Sequence, residues 1–152
     1  TYNKRFIISC LKEEIEESRK VRKKLTVALI DIDNFKVIND TYGHLYGDYV
    51  IERISRTITS NLRQNDMIGR YGGDEFLIIL PDTGREEGYS IMERIRKKIL
   101  ELKWENDLVI TISGGVREVE NDESTSLLKK LDKLLYSAKH KNKNLIEYKE
   151  IN

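Results

Sequence analysis

Acids in two places are the residues of this chain best suited to chemistry. In "RYGGDEFLIIL", Arg70 to Leu80, an apolar run is interrupted by Gly72-Gly73-Asp74-Glu75 and then resumes at once. Upstream, the β-branched run from Thr26 ends in Asp31-Ile32-Asp33. Alternation along a strand points Asp31 and Asp33 to one face and Ile32 to the other. If the hairpin around Gly72-Gly73 lies beside that strand, four carboxylates share one small region. Two carboxylates ~4 Å apart at an effective dielectric of ~20 repel by roughly 4 kcal/mol. Protonation of one acid, or a cation between them, relieves this. Mg²⁺ takes oxygen ligands and keeps positions open for phosphate oxygens. Two such ions can polarise a phosphoryl group and activate a hydroxyl nucleophile. The same residues also read as a plain hairpin. In that case Gly72-Gly73 supplies the positive φ of a two-residue turn and the acids face water. There is no Gly-x-x-x-x-Gly-Lys-Ser/Thr loop, which disfavours a P-loop NTPase.

The elements that must position these acids follow from hydrophobic periodicity. Phe6, Ile7, Cys10, Leu11, Ile15 and Val21 recur at helical spacing, and Thr26 to Ile32 reads as a buried strand. "DNFKVINDTYGHLYGD" reads as polar and turn-prone, and a second helix is marked by Val50, Ile54, Ile58 and Leu62. Met67 to Leu80 forms the hairpin, and Ile91 to Leu102 a third helix. A strand over Leu108 to Val119, a helix over Leu127 to Ala138 and a short strand over Leu145 to Tyr148 complete the chain. This pattern predicts an α+β sandwich, a mainly antiparallel sheet covered by helices, with a ferredoxin-like topology plus an added helix.

The 152 residues suit one domain, and 39% hydrophobic with 35% charged residues suits a soluble globular fold. A net charge of +1 argues against a nucleic-acid-coating surface. A single cysteine, Cys10, fits a reducing cytoplasm. No apolar run approaches the ~20 residues needed to span a bilayer, so no membrane contact is expected of this domain.

Taken together, "DIDNFKVINDTYGHLYGD" and "RYGGDEF" resemble the GGDEF domain, the catalytic domain of bacterial diguanylate cyclases. The resemblance runs from Asn3-Lys4-Arg5-Phe6 to Lys143-Asn144. It implies a fold related to nucleotide cyclases and polymerase palms, and condensation of two GTP into cyclic di-GMP with release of two pyrophosphates. Each domain is a half-site, so a homodimer is implied. Mg²⁺, or Mn²⁺ in its place, is implied at two ions per half-site.

Residue by residue, Asp31 and the carbonyl of Ile32 resemble metal ligands. Asp74 resembles the acid that binds metal and helps deprotonate the 3′-hydroxyl, and Glu75 completes the coordination of the second metal ion. Asn39 and Asp48 match guanine-reading positions, since a carboxylate accepts the N1 and N2 hydrogens that guanine offers side by side. His44 matches a substrate-binding position and alternatively braces its loop. Lys36 matches a phosphate-contacting lysine. In "YSAKHKNKN", Lys139 keeps a triphosphate-binding place, whereas Lys143 stands where arginine is usual and Asn142 where glycine is usual. Asn142 is expected to take the left-handed turn that ends a helix, and Lys143 to grip phosphate less well than a planar guanidinium.

Arg63-x-x-Asp66, nine residues before Gly72, matches the family's product-binding inhibitory site, with Arg94 as a second arginine for cyclic di-GMP. The rival reading is a catalytically inactive domain that senses GTP or cyclic di-GMP. A cyclase for another nucleotide product is disfavoured by Asp48. The family carries an Asp-x-Leu-Thr motif ahead of the Asn3 region, and this chain starts inside it. That predicts one domain over 1–152 from a longer protein whose N-terminal part senses a signal, dimerises, and can anchor the whole to a membrane.

Overall fold

The computed structural model describes residues 1–149. Leu25–Ile32 (β1) is the centre of the fold: its β-branched run is buried on both faces, as a central strand requires. It pairs antiparallel with Glu75–Pro81 (β3) on one side and Ile112–Glu118 (β4) on the other. Met67–Arg70 (β2) and Ile146–Glu147 (β5) form the edges, giving the order β2-β3-β1-β4-β5 with only β4 and β5 parallel. The inner order β2-β3-β1-β4, with helices after β1 and β3, is the expected ferredoxin-like arrangement. Lys4–Val21 (α1) precedes it, and Ser124–Lys141 (α5) with β5 follows it.

Helices cover both faces of the sheet. Val27, Leu29, Leu77 and Ile79 meet Ile7, Leu11 and Ile15 of α1 and Leu127, Leu131 and Leu134 of α5. Ala28, Ile30, Phe76 and Ile78 meet His44–Ser60 (α3) and Arg85–Leu100 (α4) through Val50, Ile54, Ile58, Ile91, Ile95 and Ile99. By the same alternation, Asp31, Asp33 and Glu75 continue the face shared with α1 and α5.

Four local expectations need correction. The stretch read as turn-prone holds a helix, Phe35–Tyr42 (α2), and α3 begins at His44, well before Val50. α2 buries only Ile38, too little to leave a periodic signature, and Gly43 at φ 89° turns the chain between the two helices. Gly72 and Gly73 do not take positive φ; among the described residues Gly43 is the only glycine that does. The hairpin closes instead through a wider turn, in which the amides of Tyr71 and Gly72 donate to the Glu75 carbonyl at 2.8 and 3.3 Å. A side chain at Gly72 would instead displace the Glu75 carboxylate, because a Cβ there would lie 2.6 Å from Glu75 Oε1. At the end of α5, Asn142 has φ −156°, and the left-handed residues are Lys143 and Asn144 at φ 53° and 49°. The amides of Asn142 and Lys143 both donate to the Ala138 carbonyl, so the chain reverses one residue later than expected. Lastly, β4 starts at Ile112, after a 3-10 turn over Glu105–Asp107 in which Asn106 and Asp107 are left-handed.

β4 reaches α5 closely through Gly115, where a Cβ would sit 2.5 Å from Leu134 Cβ and 3.0 Å from the Leu131 carbonyl. Backbone cannot yield there as a side-chain tip can. Gly115→Ala should therefore destabilise the chain by about 1–3 kcal/mol through overpacking, read as a lower urea midpoint with an unchanged m-value.

Candidate active site at the acid end of the sheet

The strand register brings the sequence-predicted acids together. Asp31 on β1 lies directly opposite Glu75 on β3, and the Ile32 amide donates to the Asp74 carbonyl at 3.1 Å. Both aspartates of β1 face α5, whose Lys139 Nζ lies 3.3 Å from Asp31 Oδ2 and 3.2 Å from Asp33 Oδ1. The two β1 acids nevertheless differ in kind. Asp33 is buried and accepts from Thr111 Oγ1 and Ser113 Oγ, each at 2.7 Å, and from the Asn144 amide at 2.9 Å. Its lone pairs are committed to holding the fold. Asp31, by contrast, keeps Oδ1 buried with no hydrogen-bond partner.

Electrostatics separates them further. Burial first, then the hydrogen bond to Asp74 and its charge, push the Asp31 carboxyl up to about 8 against the pull of Lys139. Burial, Asp74 and Asp132 push Glu75 up, while Lys4 and Lys139 pull it down. These carboxyls cannot all ionise together without a cation. The orphaned oxygen of Asp31 and the adjoining Asp74 and Glu75 carboxyls offer hard oxygen donors of the kind that a divalent cation such as Mg²⁺ takes. Among the described residues no group of three or more acid, His or Cys side chains is arranged to hold a metal ion by itself.

The predicted substrate positions follow the same end of β1, whereas Arg63, Asp66 and Arg94 lie toward its other end, where Arg63 meets Glu87 of α4. Lys36 and Asn39 lie on α2, His44 and Asp48 in the first turns of α3; Lys36, His44 and Asp48 are exposed. Asn39 Oδ1 is buried without a partner, an acceptor that a donor-rich base edge would satisfy. Lys143 Nζ donates to Asn34 Oδ1 at 2.7 Å, on the loop between β1 and α2. Arg63 and Asp66 are already paired, Nε to Oδ2 and Nη2 to Oδ1, each at 3.0 Å, and Arg63 Nη1 also meets Glu87 at 2.9 Å. Arg94 reaches the same corner, donating to the Asn61 carbonyl at 2.7 Å.

Two residues went unassigned in the sequence. Asp132 on α5 adds its charge to Glu75, and its place two turns before Lys139 on one helix face was the available signal. Gly47 backs Asn39: a Cβ there would fall 1.8 Å from Asn39 Oδ1. A cleft of about 1060 Å³, lined by Lys24, Gly84, Arg85 and Arg117 among others, lies at the opposite end of the sheet.

Residues 1–145 match the family described as diguanylate cyclase, GGDEF domain. The chain belongs to this family. Diguanylate cyclase DosC of Escherichia coli K12 is 34% identical over 150 residues, covering 95% of this chain and 33% of DosC. The active GGEEF domain of a diguanylate cyclase from Vibrio cholerae superposes with a TM-score of 0.93 at 29% identity, covering 99% of both chains. The GGDEF domain of DgcB from Caulobacter crescentus, solved in complex with c-di-GMP, superposes with a TM-score of 0.90 at 27% identity, covering 96% of this chain and 87% of that one. The chain spans about a third of the length of the curated relatives it matches. Among the described residues no helix of this GGDEF domain is long and apolar enough to cross a membrane.

The elevated Asp31 has a consequence for stability. Folded, it keeps its proton to about pH 8; unfolded, only to its ordinary 3.8. The native state thus binds more protons between these values, and stability falls as pH rises from about 4 to about 8. In EDTA, urea midpoints should decline across that window, and Asp31→Asn should flatten the decline. An equal decline in the variant would show that other groups cause it.

Proposed function

We propose that this GGDEF domain is the catalytic half-site of a diguanylate cyclase, which condenses two GTP into cyclic di-GMP. The observation that most supports this is the Asp31–Asp74–Glu75 group, mutually repelling and held together by the β1–β3 ladder, with Asp31 Oδ1 left unsatisfied. Two copies face each other, each holding one GTP. The 3′-hydroxyl oxygen of one bonds to the α-phosphorus of the other, and the bond from that phosphorus to the bridging oxygen of pyrophosphate breaks. The step occurs twice per product. Asp74, assisted by Glu75, accepts the hydroxyl proton. Asp31, the Ile32 carbonyl, Asp74 and Glu75 hold Mg²⁺ or Mn²⁺. When bound, such ions lower the hydroxyl pKa and offset charge on the phosphoryl oxygens.

Asn39 and Asp48 read the guanine edge, and His44 braces their loop against the nucleotide. Adenine would set a bare N1 acceptor against Asp48, and polar sites of this kind reject the wrong partner by ~10⁴-fold. Lys36, Lys139 and Lys143 take the triphosphate. Cyclic di-GMP binds at Arg63, Asp66 and Arg94. To pair there with guanine hydrogens, Asp66 must exchange its own arginine for the ligand. The domain works in the cytoplasm, as part of a longer protein whose other segments set how often two copies meet.

Incubation with GTP and Mg²⁺, with product read by chromatography, tests the reaction. Asp74→Ala should lose about 10²–10⁴-fold in rate, and Lys143→Arg should lower the GTP KM several-fold by restoring a planar fork. Arg63→Ala should weaken cyclic di-GMP binding and relieve inhibition; unchanged affinity would remove the inhibitory assignment. GTP binding without product, even from a tethered dimer, would replace the enzyme with a nucleotide sensor.

A further inference from the structure

The turn that carries Asp74 and Glu75 joins a four-residue strand at the edge of the sheet, β2. Its far side is open, since a Cβ on Gly73 would meet nothing within 4 Å. A turn so placed needs another source of rigidity, and the first residues of the chain provide it. The Tyr2 amide donates to the Ile68 carbonyl at 3.0 Å, and the Arg70 amide donates to the Tyr2 carbonyl at 2.8 Å. Tyr2 thereby adds one parallel rung to the outer edge of β2, opposite Gly69. Its ring packs edge-on against Phe6 at 4.5 Å between centroids, and Asn3 caps α1 by accepting from the Phe6 amide at 2.9 Å. Ile7, fully buried, fills the space above Gly69, where a Cβ would fall 2.4 Å from Ile7 Cβ. The start of α1 is thus fixed to β2 by backbone bonds and by packing.

Two side chains extend this hold to the turn itself. Lys4, the first residue of α1, places Nζ 4.6 Å from the centroid of the Tyr71 ring. Tyr71 in turn donates its amide to the Glu75 carbonyl at 2.8 Å. From the other side, the Arg70 guanidinium donates to the Gly73 carbonyl.

We propose that Tyr2, Lys4 and Arg70 form a clamp on the Gly72–Glu75 turn, with Lys4 a positioning residue that acts on Glu75 through Tyr71. An ammonium over a half-buried tyrosine ring such as Tyr71 shifts an equilibrium by at least roughly two- to fivefold, and a misplacement of ~1 Å near the chemistry can cost ~10²-fold in rate. A modest contact at residue 4 therefore has leverage at residues 74 and 75. The clamp further makes the turn answer to any force applied along the chain at Tyr2. The effect on catalysis rests on the cyclase reading, whereas the effect on the turn does not.

Hydrogen exchange on the whole chain tests the clamp without reference to activity. The Tyr71 and Ile32 amides report the turn directly, because they donate to Glu75 and Asp74 carbonyls. In Lys4→Met and Arg70→Met their exchange should accelerate about two- to fivefold or more, with global unfolding midpoints unchanged. Lys4→Arg, which keeps a cation over the ring, should restore wild-type exchange. In the GTP assay Lys4→Met should lower kcat by about two- to fivefold with the GTP KM unchanged, again restored by Lys4→Arg. Unaltered exchange in both Met variants, or a Lys4→Arg variant that behaves like Lys4→Met, overturns the clamp. Faster exchange with unaltered kcat overturns the positioning role. Absence of product from the wild-type chain overturns the cyclase reading, and the exchange measurement then decides the clamp alone.

Discussion

The acid end of this sheet depends on the buried carboxylate of Asp33. Taking a carboxylate out of water costs several kcal/mol unless charge and hydrogen bonds replace the lost hydration. Here they are replaced from three directions: hydroxyls of Thr111 and Ser113 beside and on β4, the ammonium of Lys139 on α5, and the Asn144 amide before β5. One side chain therefore joins the end of β1 to β4, to α5 and to the loop before β5. Removing it would leave Lys139 and three donors without their common acceptor, and would loosen the end of α5 beside the Asp31–Glu75 pair, although the apolar face of α5 would still hold the helix on the sheet. In the sequence Asp33 is one of four acids that share a small region. Its full set of partners makes it the support on which the other acids stand.

Those other acids are held against their own repulsion. Asp31 faces Glu75 across a ladder rung, and Asp74 is tied to β1 by the Ile32 amide. Leu77, Ile79, Val27 and Leu29 bury the adjoining rungs, so the strands cannot slide apart to relieve the charges without opening the core under α1 and α5. A one-residue slip would turn every one of these side chains to the wrong face. Local electrostatic cost sustained by a rigid apolar mount is the pattern expected where charge is to be neutralised by a ligand. The register thus brings Asp31, Asp74 and Glu75 together and holds them there.

How much of this could be read from the sequence depended on whether the signal was periodic. β1, the apolar faces of the long helices and the pairing of the hairpin with β1 follow from runs whose burial repeats at 2 or 3.6 residues. The shared face of Asp31 and Asp33 follows from the same alternation. α2 was illegible because a two-turn helix anchored by Ile38 alone has no period to detect. Gly72 illustrates a different limit. Glycine suggests positive φ, but here the Glu75 carboxylate occupies the space of a side chain, a contact between residues that only the folded turn brings together. Asn39 and Gly47 show the same limit: their fit depends on how α2 and α3 meet at Gly43, which no property of either residue encodes. Asp132 differs again, since its spacing to Lys139 was visible and only the knowledge that α5 borders the acids was lacking.

The two lysines near the end of α5 then acquire separate duties. Lys139 already neutralises Asp31 and Asp33, so a triphosphate can claim its ammonium only in competition with those carboxylates. On the proposed reading, a divalent ion at Asp31 would weaken that competition by supplying charge that Lys139 otherwise provides, so metal and nucleotide binding would be coupled through this one side chain. Lys143 is under no such constraint. It stands outside the acid group, bonded to the neutral amide oxygen of Asn34, in a left-handed residue that turns its backbone away from α5. On the proposed reading, lysine in place of the arginine fork at this position would loosen the grip on phosphate without disturbing the acids, because its ammonium is bonded to Asn34.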